Sequence, residues 1–162
     1  MKSNSIENLL SADTNNMFAY ELLRDSLIPE VFGTDTTILY WAGKKMARNI
    51  NLASITDLVT FFEKANWGNL EIVKEKKDKQ TWLLSGDIVK FRQNQVKTAD
   101  FNLEAGFIAE TIQIQSGFTS ETIVENQNSK SGVSIIVQTD LKNPNEVEPT
   151  NQFHFEKSTD ND

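Results

Sequence analysis

The sequence predicts an α+β domain with helices packed on one antiparallel sheet. Three observations predict it. Apolar residues recur at helical spacing over residues 15–65. The period then shortens to two. A helical stretch at 101–117 stands between two strand pairs. The resulting order is three N-terminal helices, a β-hairpin, a central helix and a second β-hairpin.

The first helix spans 15–28, capped by Asp13 or Thr14, with Met17, Phe18, Leu22, Leu23 and Leu27 as its apolar set. Pro29 and Gly33 punctuate its end. Asp35 caps a second helix over 36–49, where Leu39, Ala42, Gly43, Met46 and Ile50 form one stripe. Ser54-Ile-Thr-Asp57 matches a capping box and opens a third helix to 65 that buries Ile55, Leu58, Val59 and Phe62. Leu70, Ile72, Trp82 and Leu84 then alternate around the charged turn Glu75-Lys-Lys-Asp-Lys79 as the first hairpin. Ser85-Gly-Asp87 reads as a bulge or bend before Ile88-Val-Lys-Phe91.

In the central helix, Ala105, Gly106 and Ala109 lie among the bulky Phe101, Phe107, Ile108 and Ile112. Small residues let a helix backbone approach a neighbour closely. A mid-helix glycine costs roughly 1 kcal/mol against alanine, so Gly43 and Gly106 mark close packing. Strands at 121–125 and 133–140 close the domain, joined by the turn-forming run Asn126-Gln-Asn-Ser-Lys-Ser-Gly132. Val133, Ile135 and Val137 alternate with polar neighbours, and Ile136 breaks the alternation, which implies cover on the second face.

A chain of 162 residues fits one domain. The division expected is a flexible N-terminus over 1–14, a single α+β domain over 15–141 and an acidic, disordered tail over 142–162. That tail carries -3 of the formal net charge of -7. Phe153 and Phe155 dock a partner or the domain itself, or belong to an ordinary tail. The acidic balance disfavours nucleic acid and anionic membrane surfaces. No apolar run approaches the roughly 18 residues of a membrane span. The N-terminus lacks an apolar signal core, so a cytoplasmic location is expected. Zero cysteines exclude disulfides, thiolate metal ligands and a cysteine nucleophile.

Catalytic patterns are sparse. His154 is the one histidine, and both a general base and a Ser-His-Asp site would depend on it. Glu104 and Glu110 are six apart on the central helix and do not pair, while Glu121 and Glu125 share a strand face. A solvated face is the plainer reading of both. Neither the phosphate-loop nor the dinucleotide glycine pattern occurs. No metal and no cofactor are expected. Tyr40, Trp41 and Lys44 admit two readings. They line a pocket mouth that holds an anionic head group, or Trp41 is core and Lys44 a snorkelling lysine. Lys44, Lys45 and Arg48 make a basic patch too small for nucleic acid.

The words Ile38-Leu-Tyr-Trp-Ala-Gly-Lys44, Met46-Ala-Arg48, Phe61-Phe-Glu-Lys-Ala-Asn-Trp-Gly68 and Phe101-Asn-Leu-Glu-Ala-Gly-Phe-Ile-Ala-Glu110 resemble the YslB-like family of small uncharacterised proteins from low-GC Gram-positive bacteria. The resemblance covers about residues 16–141. That family in turn resembles the vinyl-reductase-type ligand-binding domains and the TRAPP vesicle-tethering subunits. The likeness implies an antiparallel sheet with packed helices, often dimeric through the first helices. In some relatives a hydrophobic ligand lies between helices and sheet. Relatives that bind metal through thiolates or carry an acyl thioester need cysteine, which this chain lacks.

The function expected is a noncatalytic cytoplasmic binding or adaptor domain, a homodimer through its N-terminal helices, with a small apolar ligand between helices and sheet. Its pocket candidates are Tyr40, Trp41, Lys44, Phe101, Phe107 and Ile108. The alternative is a protein-protein interaction module with a filled core and no ligand.

Overall fold

The computed structural model describes residues 17–33, 35–95, 99–145 and 151–156. The expected N-terminal segment 1–14, with its capping Asp13 or Thr14, lies outside the described residues. Helix α1 is continuous over 17–32, as α-helix at Met17–Glu21, π-helix at Leu22–Leu27 and α-helix again at Ile28–Phe32. Helix α2 is Thr37–Ile50 and α3 is Ile55–Lys64. Strands β1 (Asn69–Glu75) and β2 (Lys79–Ser85) follow, then α4 (Asp87–Gln95) and α5 (Asn102–Ser116). Strands β3 (Phe118–Glu125) and β4 (Val133–Pro144) complete the fold.

The sheet is antiparallel throughout, in the order β1-β2-β4-β3. Two sequential hairpins therefore meet along β2 and β4, where Trp82 faces Ile135 and Leu84 faces Val133. These residues are buried; α5 packs on β3 and reaches β4, and α4 packs against β2. Phe107 stacks on Phe61 at 4.4 Å, with Trp67 edge-on at 5.4 Å. Helix α5 is buried from Leu103 through Gln113, which makes it the centre that its small and bulky residues predict.

Gly43 and Gly106 face each other's helix. A Cβ on Gly106 would lie 1.9 Å from the Tyr40 carbonyl oxygen, and one on Gly43 would lie 2.2 Å from the Leu103 carbonyl oxygen. The two backbones touch, and only glycine fits at the crossing.

Three expectations change. Pro29 lies inside α1, which ends only at Gly33. The preceding π-turns reach five residues back, as Ile28 N–H does to Leu23, and this register accommodates a residue without an N–H. Residues 87–95 form a helix instead of extending a bend: Gly86, at φ +113°, turns the chain off β2, and Ile88, Val89 and Arg92 then share one buried side. Strands β3 and β4 are longer than expected, because pairing continues through Ser120 with Thr139 and, past a register shift, Phe118 with Pro144.

Candidate functional site

Helix α1 faces inward with its polar side. Among its described residues only Arg24 is buried, with Tyr20, Glu21 and Asp25 beside it at partial depth. Most of its large apolar side chains point to solvent, with Ile28 partly buried against the core. Met17, Phe18, Leu22, Leu23, Leu27, Val31 and Phe32 are between 41% and 74% exposed, and Ile38 and Trp41 at the start of α2 are exposed too. The apolar set read from the sequence is thus the outer face of this helix. Singly exposed apolar residues are ordinary, but a contiguous stripe of them is not.

Underneath lies a buried ionic cluster. Arg92 on α4 holds Asp25 through two hydrogen bonds, Nε to Oδ2 at 2.8 Å and an NH2 nitrogen to Oδ1 at 2.9 Å. Glu104 on α5 accepts from Tyr20 Oη at 3.0 Å, Arg24 at 3.3 Å and Arg92 at 3.4 Å. Arg24 also reaches the Asp100 carboxylate at 3.4 Å. Burial opposes the charge on both arginines, and Glu104 together with the neighbouring acidic groups outweighs it, so both guanidinium pKa values are raised. Burial, then Glu104, raises the Tyr20 phenol. The Asp25 carboxyl is held below its usual range: burial pushes it up, and the hydrogen bonds and charge of Arg92, with Glu21 and Arg24, together outweigh that. The Arg92 guanidinium also sits 4.6 Å from the Phe101 ring centre.

A second cluster joins α2, α5 and β3. Lys44 is buried, with Nζ 2.7 Å from Glu121 and 3.7 Å from Glu110, and 5.7 Å from each of the Tyr40 and Trp41 rings. Arg48 adds a 2.7 Å bond to Glu110. Tyr40 donates to Glu121 and receives the Thr122 N–H at 3.2 Å. Burial, then the Glu121 bond, pushes the Tyr40 phenol up to about 12.

Of the predicted residues, Tyr40, Trp41 and Lys44 are brought together, but neither plain reading holds. Trp41 is surface rather than core, and Lys44 does not snorkel. Glu104 and Glu110 are buried ion-pair members, not a solvated face. Phe101, Phe107 and Ile108 pack within the core.

The segment 151–156 returns to the domain. Leu52 and Phe153 form a parallel bridge, with Phe153 N–H to Asn51 at 2.9 Å and Ala53 N–H to Phe153 at 3.0 Å. Ser54 caps α3 through the Asp57 N–H at 3.1 Å, as the capping pattern predicts. Asp57 then accepts the Ser54 hydroxyl at 2.6 Å and the Phe155 N–H at 2.9 Å, and its Oδ2 lies 2.9 Å from His154 Nδ1. Burial pushes the Asp57 carboxyl up, but these contacts outweigh it and hold it below its usual range. The acid lies between serine and imidazole here. A nucleophile relay needs the imidazole in the middle, so Ser54, Asp57 and His154 form a docking contact.

An apolar cleft of about 90 Å³ opens between the end of α1 and the start of α2, lined by Ile28, Pro29, Phe32, Ile38 and Leu39 over Arg24 and Asp100. Among the described residues no group of three or more His, Cys, Asp or Glu side chains is placed to hold a metal ion. No helix among them is long and apolar enough to cross a membrane.

Residues 17–138 match the family model described as "Protein of unknown function (DUF2507)". The "Uncharacterized protein YslB" of Bacillus subtilis (strain 168) is 38% identical over 141 residues, covering 86% of this chain and 95% of that protein. The chain belongs to this family. Among solved structures, a vinyl-4-reductase family protein from Methanocaldococcus jannaschii shares the fold with a TM-score of 0.55 at 17% identity, over 85% of this chain and 88% of that one. A trafficking protein particle complex subunit 3 from Naegleria fowleri, covalently bound to palmitic acid, aligns with a TM-score of 0.38 at 11% identity, over 89% and 93%.

Proposed function

We propose that this protein is a noncatalytic, cytoplasmic adaptor domain that pairs with a second copy of itself through α1 and the start of α2. One observation carries the reading: α1 buries its charged side and exposes its apolar side. Full burial of a large apolar side chain is worth roughly 1.5–3 kcal/mol, and each of these forgoes a substantial part of it, so a stripe of this size calls for a covering surface. A second copy supplies one, because a two-fold axis sets the same stripe against itself. The filled core around Phe107 supports an interaction module over a domain with a ligand between helices and sheet.

Native mass spectrometry tests the pairing. The expected result is twice the chain mass, falling to the single mass in a Leu27→Glu, Trp41→Glu double variant whose far-ultraviolet circular dichroism is unchanged. A wild-type chain of single mass across micromolar concentrations would overturn the pairing. The apolar cleft favours a second reading, a small apolar ligand held there. The same spectra read it as extra mass lost on denaturation.

A further inference from the structure

Four carboxyls (Glu21, Asp25, Asp100 and Glu104) meet two guanidiniums (Arg24 and Arg92) beneath α1. Asp25 has two bonds from Arg92, and Glu104 has both arginines and the Tyr20 hydroxyl. Asp100 takes Arg24 and the Asn102 N–H. Four carboxyls leave two negative charges in excess, and Glu21 is the one to which neither arginine donates a hydrogen bond. Its nearest cation is Arg92 Nε at 3.9 Å, and that nitrogen already donates to Asp25. Its Oε1 is buried with no hydrogen-bond partner, and its side chain is only 12% exposed. A buried carboxyl without its own counter-charge is driven to keep its proton.

We infer that one proton on Glu21 sets the seating of α1, so that the apolar face is held firmly while Glu21 is neutral and loosened when it ionises. The consequence for association rests on the proposed pairing face; the proton link itself does not. The charged and titratable groups facing Glu21 are Tyr20, Arg24 and Asp25 on α1, Arg92 on α4, Asp100 before α5 and Glu104 on α5. Burial first, then a hydrogen bond and repulsion from Asp25, pushes the Glu21 carboxyl from 4.5 up to about 7, while Arg92 and Arg24 pull the other way. The seated pKa lies above the free one. The contribution of Glu21 to seating is therefore fully present below about 4.5 and is lost as pH rises through about 7. Helix α1 is open to such control, because Arg24 is its one buried residue among those described and charge contacts, beside the partly buried Tyr20 and Ile28, hold its inner side.

Hydrogen exchange of the α1 amides in the whole chain, corrected for the intrinsic pH dependence of exchange, tests this. The α1 opening constant is expected to rise by up to about tenfold per pH unit and to level off above about pH 7. Glu21→Gln keeps the shape of the neutral acid and should give a flat profile at the acid-side value. A flat wild-type profile, or a variant as steep as wild type, would overturn the inference. Native mass at each pH separates the two readings. Exchange that follows Glu21 while the mass stays single upholds the proton link and removes the pairing, and a mass that changes with exchange upholds both.

Discussion

Replacing Gly106 by alanine tests the packing at the centre of the fold, and the sign of the effect decides. Helix propensity alone predicts a gain of about 1 kcal/mol for glycine to alanine in a helix interior. The crossing predicts a loss. The new methyl carbon would lie 1.9 Å from the Tyr40 carbonyl oxygen, and ordinary contact begins at 3.4 Å, so α2 must retreat by the difference, 1.5 Å. The obstacle is backbone, which has no rotamer to yield. The retreat also pulls Lys44 from Glu110, already at 3.7 Å, and Tyr40 from Glu121 and Thr122. Overpacking typically costs 1–3 kcal/mol where side chains absorb it. A rigid contact belongs at or above the upper end, leaving a net loss of about 2–4 kcal/mol. At about 2–4 °C per kcal/mol for a chain of this size, the melting temperature should fall by about 5–15 °C. Scanning calorimetry at fixed protein concentration reads it. Gly43→Ala should behave alike, and the double variant should cost less than the two losses together, since one retreat relieves both clashes. An unchanged or raised melting temperature for Gly106→Ala would refute the reasoning.

Arg92→Ala removes the partner of Asp25 and one of the partners of Glu104, and should cost about 3–5 kcal/mol in urea unfolding, because buried charge is left uncompensated. A loss under about 1 kcal/mol would show that water already serves those carboxylates. Asp57→Ala should release 151–156 and cost about 1–2 kcal/mol, read as loss of protection at the Phe155 amide. Its folded carboxyl is held low, so in the wild type this contribution is present above the ordinary aspartate value of 3.8 and fades as pH falls below it. Undiminished protection in the variant would place the docking on the Phe153 bridge instead.

Much of the architecture is legible in the sequence because it rests on local signals. The Ser54 cap, the two hairpins and the small residues of α5 each follow from spacing and conformational preference, and each stands where expected. The misreadings share a cause, which is that the deciding partner is distant. Nothing beside Glu104 in the chain announces that Arg24, 80 positions away, will bond to it. Glu110 likewise draws Arg48 from 62 positions away. A carboxylate alone on a helix reads as solvated, and here cations from other elements carry it inside. Lys44 shows the same logic from the other side, since the buried Glu110 and the half-exposed Glu121 hold it below the surface. The candidate site was legible only in the cluster of Tyr40, Trp41 and Lys44. The ionic cluster under α1 has one local trace: Tyr20, Glu21, Arg24 and Asp25 recur at helical spacing opposite the leucines.

Periodicity assigns α1 two faces but not their orientation. The apolar side is the natural choice for burial, because it offers the larger transfer free energy. The opposite outcome follows from what lies beneath. Arg92 and Glu104 stand on elements already fixed by the core, and each is almost wholly buried. Turning the leucines inward would strip Asp25 and Arg24 from them, and a buried charge without a partner costs several kcal/mol. That penalty has no remedy within the chain. Exposed leucines have one, because a second surface can cover them. The charges on α4 and α5 therefore decide how α1 lies, and they leave its apolar face outward, open to the pairing proposed above.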